Sequence, residues 1–499
     1  MIYIGCCVVH FCLSLVFSYL AVFFIGKKYR KTKFALSVLA GVFYILQFIS
    51  LVMIAHDMNY AFLANLFDLT NYVAALSVYR KYSALLLLLS IVISYALYKI
   101  NSRFHVENRY LRGAMLLMSF TYLLSPPSFV ARFAKVCYEM VHNPSSKMNH
   151  SELFREITGL DYVNREDIRV KLPARPKNLV IIALESFEQK LLEEFGHMTE
   201  NVNSYARDGE FYSDITMIEG SGWTIAGIHT FLCGSPMIYN LSEHSLLKSV
   251  SISKLVCLPD VLNRAGYYQM YIGGEKRKFS GKSQFLFSHS YNEVLGKKEL
   301  HREYHDLDVN NLSNWGFKDR EVFKIAKDKY RKLIESKRPF SLMISTLDTH
   351  GPDRGILDSR CKNPTGNGML DSVECTDGLL ADFIEFIRKE PNYEDTLIVI
   401  LPDHLAMGHF SDMGAKGVGE TDRKLYVILL NSAGPKGRRP AGILYTDVAS
   451  LILERLGIEH NARFLLENRG NQSQRERVEY INKNLEKIRS FNNKTLLHE

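Results

Sequence analysis

The sequence predicts an N-terminal domain of four membrane-spanning helices followed by a soluble α/β domain with a largely parallel sheet. Two observations lead to this prediction. Long stretches without Asp, Glu, Lys or Arg occur within residues 1–131. Further along the chain, short apolar runs alternate with helical segments, the pattern of an α/β domain. A chain of 499 residues is long enough for about two or three domains.

The charge-free stretches are residues 1–26, 34–56, 82–98 and 113–131. Each is close to the ~20 residues that a helix needs to cross a ~30 Å hydrocarbon layer. A core helix of a soluble domain would carry polar residues along one face instead. Nothing basic precedes Ile2, so we expect the first stretch to be a membrane helix and not a cleaved signal peptide. Residues 1–131 are therefore predicted to form the membrane domain.

Basic residues predict the orientation of these helices. They cluster in the loop after the first stretch (Lys27, Lys28, Arg30, Lys31, Lys33) and in the loop before the fourth (Lys99, Arg103, Arg109, Arg112). Such loops stay in the cytoplasm, so four crossings place the large C-terminal part outside. The densest basic clusters behind the net charge of +8 lie in these loops. Nucleic-acid binding therefore has little support. The stretches themselves hold few polar groups, which disfavours a transporter.

The soluble part begins after a charged connector. Residues 132–177 are expected to include short helices near the membrane surface, and Pro173 and Pro176 mark the entry to the next domain. That domain, residues 178–466, has apolar runs predicted as buried strands and separated by helical segments. The strands are residues 179–184, 340–345, 396–401 and 425–430, and the helices include 319–335 and 378–389. Residues 467–499 are expected to be a polar tail with a surface helix and a frayed end.

Polar residues with metal-binding and acid–base chemistry follow three of the predicted strands. Glu185 follows the first, His350 the second, and Asp403 and His404 the third. Any one of them is more often an ordinary loop residue. In parallel sheets, however, sites form at the carboxyl ends of the strands, so their joint occurrence in one domain is informative. They offer oxygen and nitrogen ligands without a thiolate, which suits Mn²⁺, Mg²⁺ or Zn²⁺.

Thr224 opens an apolar, helix-like segment after the small-residue turn of residues 220–223. It has two interpretations. A threonine in this position can be the N-cap of the helix. It can also be a nucleophile, because neighbouring glycines permit close approach of a phosphate and the helix N-terminus favours negative charge. A divalent ion would lower the pKa of its hydroxyl. His350 would then bind the phosphate or protonate a leaving alkoxide.

The soluble part contains an even number of cysteines, Cys233, Cys257, Cys361 and Cys375, and no two of them have CxxC spacing. Outside the cytoplasm such cysteines tend to form disulfides. We expect the pairs Cys233–Cys257 and Cys361–Cys375, although sequence alone does not determine connectivity.

Four motifs together resemble the sulfatase/alkaline-phosphatase-like superfamily: NLVIIALES (178–186), GWTIAG (222–227), LDTHGP (347–352) and LPDHLAM (401–407). Within it, the sequence is most similar to the membrane-bound phosphoglycerol transferases, which include an enzyme of periplasmic glucans and, more distantly, lipoteichoic acid synthase. The resemblance covers residues 177–456. It implies an alkaline-phosphatase-like, mostly parallel sheet flanked by helices. It also implies a multi-pass protein of the bacterial inner membrane whose catalytic domain is periplasmic.

The resemblance also implies roles for individual residues. Glu185, Thr224, Asp403 and His404 would be the ligands of a divalent metal, Mn²⁺ first and Mg²⁺ or Zn²⁺ as alternatives. Thr224 would also be the nucleophile, and His350 would bind the substrate phosphate. True sulfatases carry Cys/Ser-x-Pro-x-Arg at the nucleophile, whereas Thr224 is followed by Ile-Ala-Gly, so sulfate ester hydrolysis is disfavoured. Weaker candidates for substrate contacts, chosen for their nearness in sequence, are Trp223, Arg354 and His409.

The implied function is transfer of phosphoglycerol from phosphatidylglycerol to a hydroxyl of an extracytoplasmic glycan. The glycan would be a glucan, a capsular repeat or a lipopolysaccharide sugar. The reaction would proceed through a glycerophosphoryl-threonine and release diacylglycerol. One alternative keeps the fold but transfers phosphoethanolamine to lipid A or another glycan. The other is a non-catalytic, membrane-anchored protein that binds lipid or glycan; the complete ligand set argues against it.

Overall fold

A computed structural model provides the structure of the chain. It describes residues 109–124, 148–239, 254–313, 315–350, 357–362, 364–406, 423–439, 442–468 and 472–495, together with isolated residues 14, 17, 18, 32, 36, 131 and 470. The chain divides into two compact units, Met1–Asn143 and Pro144–Glu499.

In the first unit the structure describes one continuous helix, α1 (Arg109–Leu124). This helix overlaps the fourth charge-free stretch, but it begins earlier and includes Arg112. Within the described ranges, no helix is both long enough and apolar enough to cross a membrane. The other three stretches lie outside the described residues, apart from isolated positions. The four-helix membrane domain therefore stays a prediction.

The second unit is built on an eight-stranded sheet with the order β5-β4-β6-β2-β7-β8-β3-β9, and a two-stranded sheet pairs β1 with β10. In chain order the strands are β1 (Val170–Lys171), β2 (Asn178–Leu184), β3 (Glu210–Ile215), β4 (Tyr268–Gly273), β5 (Glu293–Leu295), β6 (Phe340–Ser345), β7 (Thr396–Pro402), β8 (Leu425–Leu430), β9 (Gly437–Arg439) and β10 (Glu459–His460).

The centre of the large sheet is parallel. β2 lies between β6 and β7, and Val180 is in register with Leu342 on one side and with Ile398 on the other. β8 runs antiparallel to both of its neighbours, β7 and β3. The four predicted strands are β2, β6, β7 and β8, so the prediction of a mostly parallel α/β domain is confirmed. The other strands were missed because they are short or, like β3 and β4, interrupt their apolar runs with polar residues.

Helices flank the sheet. In chain order they are α2 (His150–Thr158), α3 (Gln189–Glu194), α4 (Glu200–Asp208), α5 (Thr224–Cys233), α6 (Leu258–Arg264), α7 (Lys282–Ser288), α8 (Lys297–Glu303), α9 (Asp319–Glu335), α10 (Gly368–Arg388), α11 (Val448–Arg455), α12 (Gln474–Lys483) and α13 (Leu485–Thr495). Alternate residues of β2, such as Val180 and Ile182, pack with α9 and α10 in one hydrophobic cluster. The intervening Leu179 and Ile181 are also fully buried, which explains the unbroken apolar runs of these strands.

Two sequence expectations were wrong in detail. The helix expected over 378–389 begins at Gly368, where the Asn367 side chain accepts hydrogen bonds from the first-turn amides. Its first half is rich in polar residues, which hid the helical periodicity. The C-terminal segment, expected to be a polar tail with one surface helix, contains α12 and the partly buried α13, and the expected frayed end beyond Thr495 lies outside the described residues. The Asn492 side chain is fully buried and donates to the carbonyls of Pro236 and Ile238.

Both expected disulfides are present. Cys233–Cys257 joins the end of α5 to the residue before α6, and Cys361–Cys375 ties a loop to α10. The connector residues that the structure describes belong to the second unit, where Tyr480 of α12 donates to the carbonyl of Ile157 in α2.

Candidate active site

The candidate site lies at the carboxyl edge of the sheet, where β2 and β7 end side by side. Leu184 is in register with Pro402, so the residues that follow, Glu185 and Asp403, emerge next to each other. The turn after β7 also supplies His404. Thr224 reaches the same place from α5, of which it is the first residue. All four residues that were predicted as metal ligands are therefore brought together by the fold.

The contacts among them are close. The Thr224 hydroxyl donates to Glu185 Oε2 at 3.1 Å. His404 Nε2 lies 3.2 Å from Glu185 Oε1 and 3.7 Å from Asp403 Oδ2. Glu185, Asp403 and His404 each place one ligand atom within 4.8 Å of the other two, and all three side chains are buried. This spacing is compatible with a single divalent ion.

The surroundings orient each ligand atom. Asp403 Oδ1 accepts from the backbone amides of Ser186 and His404, at 2.9 and 2.8 Å, which leaves Oδ2 for the site. His404 Nδ1 lies 2.6 Å from the carbonyl of Leu405 and must donate to it, so Nε2 is the nitrogen that can bind an ion once it has lost its proton. Nε2 is buried and makes no well-formed hydrogen bond to any described residue. An imidazole held by its other nitrogen in this way is typical of a metal ligand.

The electrostatics of the site also favour a cation. Burial raises the pKa of Asp403, and the charge of Glu185 raises it further, to about 8. Burial lowers the pKa of His404, but Asp403 and Glu185 outweigh it and raise that pKa to about 10. Burial likewise raises the pKa of Glu185, whereas His350 and His404 lower it below its usual range. Two adjacent buried carboxylates need a positive partner, and a divalent ion can replace the proton on His404.

Helix α5 approaches this edge of the sheet unusually closely. A Cβ atom on Gly227 would lie only 1.8 Å from the carbonyl oxygen of Asp403. Glycine is therefore required where the first turn of α5 packs on the end of β7. Trp223, and not Thr224, occupies the N-cap position, and its buried side chain makes no capping hydrogen bond. The N-cap interpretation of Thr224 was wrong, because its hydroxyl bonds to Glu185 instead.

Ser186 is a site residue that sequence reasoning missed, although it directly follows Glu185. Its backbone is left-handed, with φ 56°, which is uncommon for a residue other than glycine. This conformation lets its amide donate to Asp403 while its hydroxyl donates to Glu185 Oε1 at 2.8 Å. Backbone strain of this kind is often found at functional sites.

Two threonines in the segment after β6, Thr346 and Thr349, form hydrogen bonds to the backbone of Glu185, and sequence reasoning also missed them. Thr346 Oγ1 accepts from the Glu185 amide at 2.8 Å, and the Thr349 hydroxyl donates to the Glu185 carbonyl. His350, the next residue, is thereby held beside the cluster, and its ring stacks at a tilt on Trp315. Both threonines belong to the segment that carries the LDTHGP motif, which is the signal that could have found them. Arg354 and His409 lie outside the described residues.

Glu188 supports the turn that follows His404. It is fully buried, and its carboxylate accepts from the amide of Ala406 at 2.7 Å and from Arg423 Nε at 2.9 Å. The Tyr445 hydroxyl donates to the carbonyl of Pro402 at 2.6 Å. These bonds fix the backbone on both sides of Asp403 and His404.

A parallel sheet with carboxylates, an imidazole and a hydroxyl at its carboxyl edge defines a domain of the alkaline-phosphatase type. Comparison with known proteins agrees. Residues 177–424 match the sulfatase family, and this domain of the chain belongs to that family. The structure also shares the fold of a member of the alkaline phosphatase superfamily from Vibrio parahaemolyticus. The TM-score is 0.50 at 17% identity, covering 66% of this chain and 81% of that chain.

The chain is also similar to two particular enzymes. The chain is 31% identical over 309 residues to phosphoglycerol transferase I of Salmonella arizonae, covering 57% of this chain and 39% of that protein. The chain thus spans about two-fifths of the length of the curated relatives it matches. It also resembles the lipoteichoic acid synthase of Listeria monocytogenes, with a TM-score of 0.46 at 13% identity, over 64% of this chain and 80% of that chain.

Proposed function

We propose that this protein transfers phosphoglycerol from phosphatidylglycerol to a hydroxyl group of an extracytoplasmic glycan. The observation that carries the proposal is the hydroxyl of Thr224, which lies 3.1 Å from Glu185 Oε2 at the N-terminus of a helix and inside the candidate metal site. The similarity to phosphoglycerol transferase I supports glycerol as the transferred head group. The acceptor would be a glucan, a capsular repeat or a lipopolysaccharide sugar.

Glu185, Asp403, His404 and Thr224 would hold the divalent ion. Their donor set fits it, because His404 Nε2 is buried without a well-formed hydrogen bond to a described residue, and Asp403 Oδ2 is left for the site by the bonds to Oδ1. Such an ion supplies a Lewis acid that lowers the pKa of the threonine hydroxyl and offsets phosphate charge. These oxygen and imidazole ligands suit Mn²⁺, Mg²⁺ or Zn²⁺, and the family resemblance favours Mn²⁺.

The residues of the chain then perform two displacements. Thr224 Oγ1 gives up its proton to water and attacks the phosphorus, and the bond from phosphorus to the diacylglycerol oxygen breaks. His350 gives a proton to that leaving oxygen. The product is a glycerophosphoryl-threonine. In the second step a sugar hydroxyl gives its proton to His350 and attacks the phosphorus, and Thr224 leaves with its proton restored.

A membrane anchor fits this chemistry. Phosphatidylglycerol carries two acyl chains and stays in the bilayer, so an anchored catalytic domain meets it at a high effective concentration. The charge-free stretches within residues 1–131 would supply the anchor, and the basic loops would place the catalytic domain on the periplasmic side.

Mass spectrometry of the full-length protein tests the proposal. After incubation with phosphatidylglycerol and Mn²⁺, we expect a glycerophosphoryl adduct on the peptide that contains Thr224, together with released diacylglycerol. Thr224→Ala should form no adduct and should lose transfer by at least about a thousandfold, since removal of a nucleophile is among the costliest changes to an enzyme. Circular dichroism would verify that this variant is folded.

Other outcomes decide against the proposal. An adduct that forms only with phosphatidylethanolamine would favour phosphoethanolamine transfer. Full turnover by Thr224→Ala would exclude Thr224 as the nucleophile. The absence of both adduct and diacylglycerol, with either lipid, would favour a protein that binds lipid or glycan without catalysis.

A further inference from the structure

Trp315 packs directly on His350. The two ring centroids are 4.5 Å apart and the rings are tilted by 41°. Phe279 also makes an edge-to-face contact with Trp315, with a centroid distance of 5.6 Å and an interplanar angle of 72°. Both neighbours restrict access to the indole ring, whose one polar group is its N–H.

The backbone around Trp315 is fixed. Ser313 Oγ accepts from the amides of Trp315 and Gly316, at 3.1 and 2.9 Å. Gly316 forms a β-bridge with Glu275 just beyond β4, and a Cβ atom on it would lie 2.0 Å from the carbonyl oxygen of Gly274. Trp315 therefore has a defined position beside His350. The preceding residue, Thr349, donates to the Glu185 carbonyl, and Glu185 in turn accepts from Thr224.

Two polar atoms on these stacked rings make no hydrogen bond to any residue that the structure describes. They are Trp315 Nε1 and His350 Nδ1, and both are buried. A buried donor without a partner is costly, which suggests that a ligand satisfies it. Because His350 faces the substrate phosphate in the proposed reaction, a group bound to the Trp315 N–H would be attached to that phosphate. In phosphatidylglycerol this group is the glyceryl head.

We infer that Trp315 is a specificity-determining residue that donates its indole N–H to a hydroxyl oxygen of the glyceryl head group. The inference rests on the proposed function and extends it to head-group choice. An indole N–H can only donate, and a hydroxyl oxygen accepts. The ammonium of ethanolamine has three donors and no acceptor, so it cannot satisfy the indole. Its usual aromatic contact, over the face of the ring, is restricted by His350 and Phe279.

Binding of three soluble ligands to the Mn²⁺-loaded, full-length protein tests this assignment. The ligands are sn-glycerol 1-phosphate, ethanolamine phosphate and inorganic phosphate. Trp315→Phe keeps an aromatic ring at this position and removes the N–H together with the pyrrole part of the indole. We expect it to weaken glycerol phosphate binding about tenfold, the usual effect of one hydrogen bond, and to leave the other two ligands unchanged. A weaker affinity for all three ligands would overturn the assignment, since that is the effect of a residue that merely supports His350.

A second measurement follows ligand binding in the wild-type protein. The chain has two tryptophans, so a protein labelled with ¹⁵N-tryptophan has two indole N–H resonances, and Trp223→Phe identifies the one from Trp315. Glycerol phosphate should shift the Trp315 resonance, whereas ethanolamine phosphate should shift it much less. Equal shifts, or none, would refute the assignment. A wild-type protein without any preference for glycerol phosphate would instead refute the glyceryl head group itself, and this inference with it.

Discussion

At the scale of single residues, several charged and polar side chains of the second unit are buried with specific partners. Near the site, Asp319 is fully buried and accepts from the amides of Leu347 and Asp348 at 2.5 and 3.3 Å, which helps to position the segment that carries His350. His229, within α5, bonds through its two ring nitrogens to the Ser235 carbonyl and the Tyr239 hydroxyl, at 2.9 and 3.0 Å. Such groups make stability depend on pH.

His229→Gln tests this dependence. Burial lowers the pKa of His229 to about 3, from 6.5. Between these two values the unfolded chain binds a proton at His229 that the native protein does not. The contribution of His229 to the free energy of unfolding is therefore fully present above pH 6.5 and is lost as the pH falls. The slope is at most roughly 1.4 kcal/mol per pH unit. In urea unfolding from pH 7 to 4.5, we expect the stability advantage of wild type over His229→Gln to shrink steadily.

The exposed His197 provides the control, since His197→Gln removes an imidazole that is not buried. A pH-independent difference between wild type and His229→Gln would show that the native protein binds a proton at His229 as readily as the unfolded chain.

At the scale of elements, the site depends on how closely α5 packs on the end of β7. The disulfide Cys233–Cys257 holds the far end of α5, and Gly227 permits the contact with the Asp403 carbonyl near its start. The position of Thr224 relative to Glu185 and Asp403 is therefore set by one helix–strand contact. A methyl group on residue 227 would displace either α5 or the turn that carries Asp403 and His404.

Gly227→Ala is expected to lower the transfer rate by about a hundredfold, because a displacement near 1 Å at a catalytic group has an effect of that size. The matched control is Gly378→Ala in α10, where no atom lies within 4 Å of the new Cβ. This change should leave activity unaltered and raise stability by roughly 0.5–1 kcal/mol. Wild-type activity in Gly227→Ala would show that the contact does not determine the position of Thr224.

At the scale of the whole molecule, segments distant in sequence combine in the second unit. The proposed metal ligands lie at the ends of β2 and β7 and at the start of α5, so an ion would link three elements. The C-terminal helix α13 reaches the segment after α5, where Asn492 Oδ1 accepts from Ser235 at 3.0 Å. Metal binding is therefore expected to stabilise the unit as a whole in addition to activating Thr224.

Chelation should abolish transfer and lower the melting temperature by roughly 5 °C, since an ion that binds only the native state stabilises it by mass action. Mn²⁺ or Mg²⁺ should restore both properties. In Asp403→Asn, which removes one proposed ligand charge, the chelator should have little further effect on melting. Indifference of the wild-type protein to chelator would refute the metal site.

The predicted topology is tested by a reporter enzyme that is active only after export, fused to the C-terminus. We expect activity, because four crossings with two basic cytoplasmic loops place this end outside. The same reporter fused in the loop that contains Lys99 and Arg103 should be inactive. The reverse pattern would contradict the prediction for residues 1–131.

The sequence by itself determined the class of the second unit and the residue types of its site. Strands buried on both faces must be continuously apolar, so β2, β6, β7 and β8 could be recognised, and the polar residues that end three of them stood out by contrast. The same reasoning failed for β3 and for the first half of α10, whose polar residues find partners elsewhere in the fold.

Only the tertiary structure decided how the site residues meet. It showed that Thr224 bonds to Glu185 instead of capping its helix, that Gly227 sets the approach of α5, and that Ser186, Thr346, Thr349 and Trp315 surround the site. These contacts join residues far apart in the chain. Local periodicity reflects which face of an element is buried, whereas the partner it meets depends on how the whole chain packs.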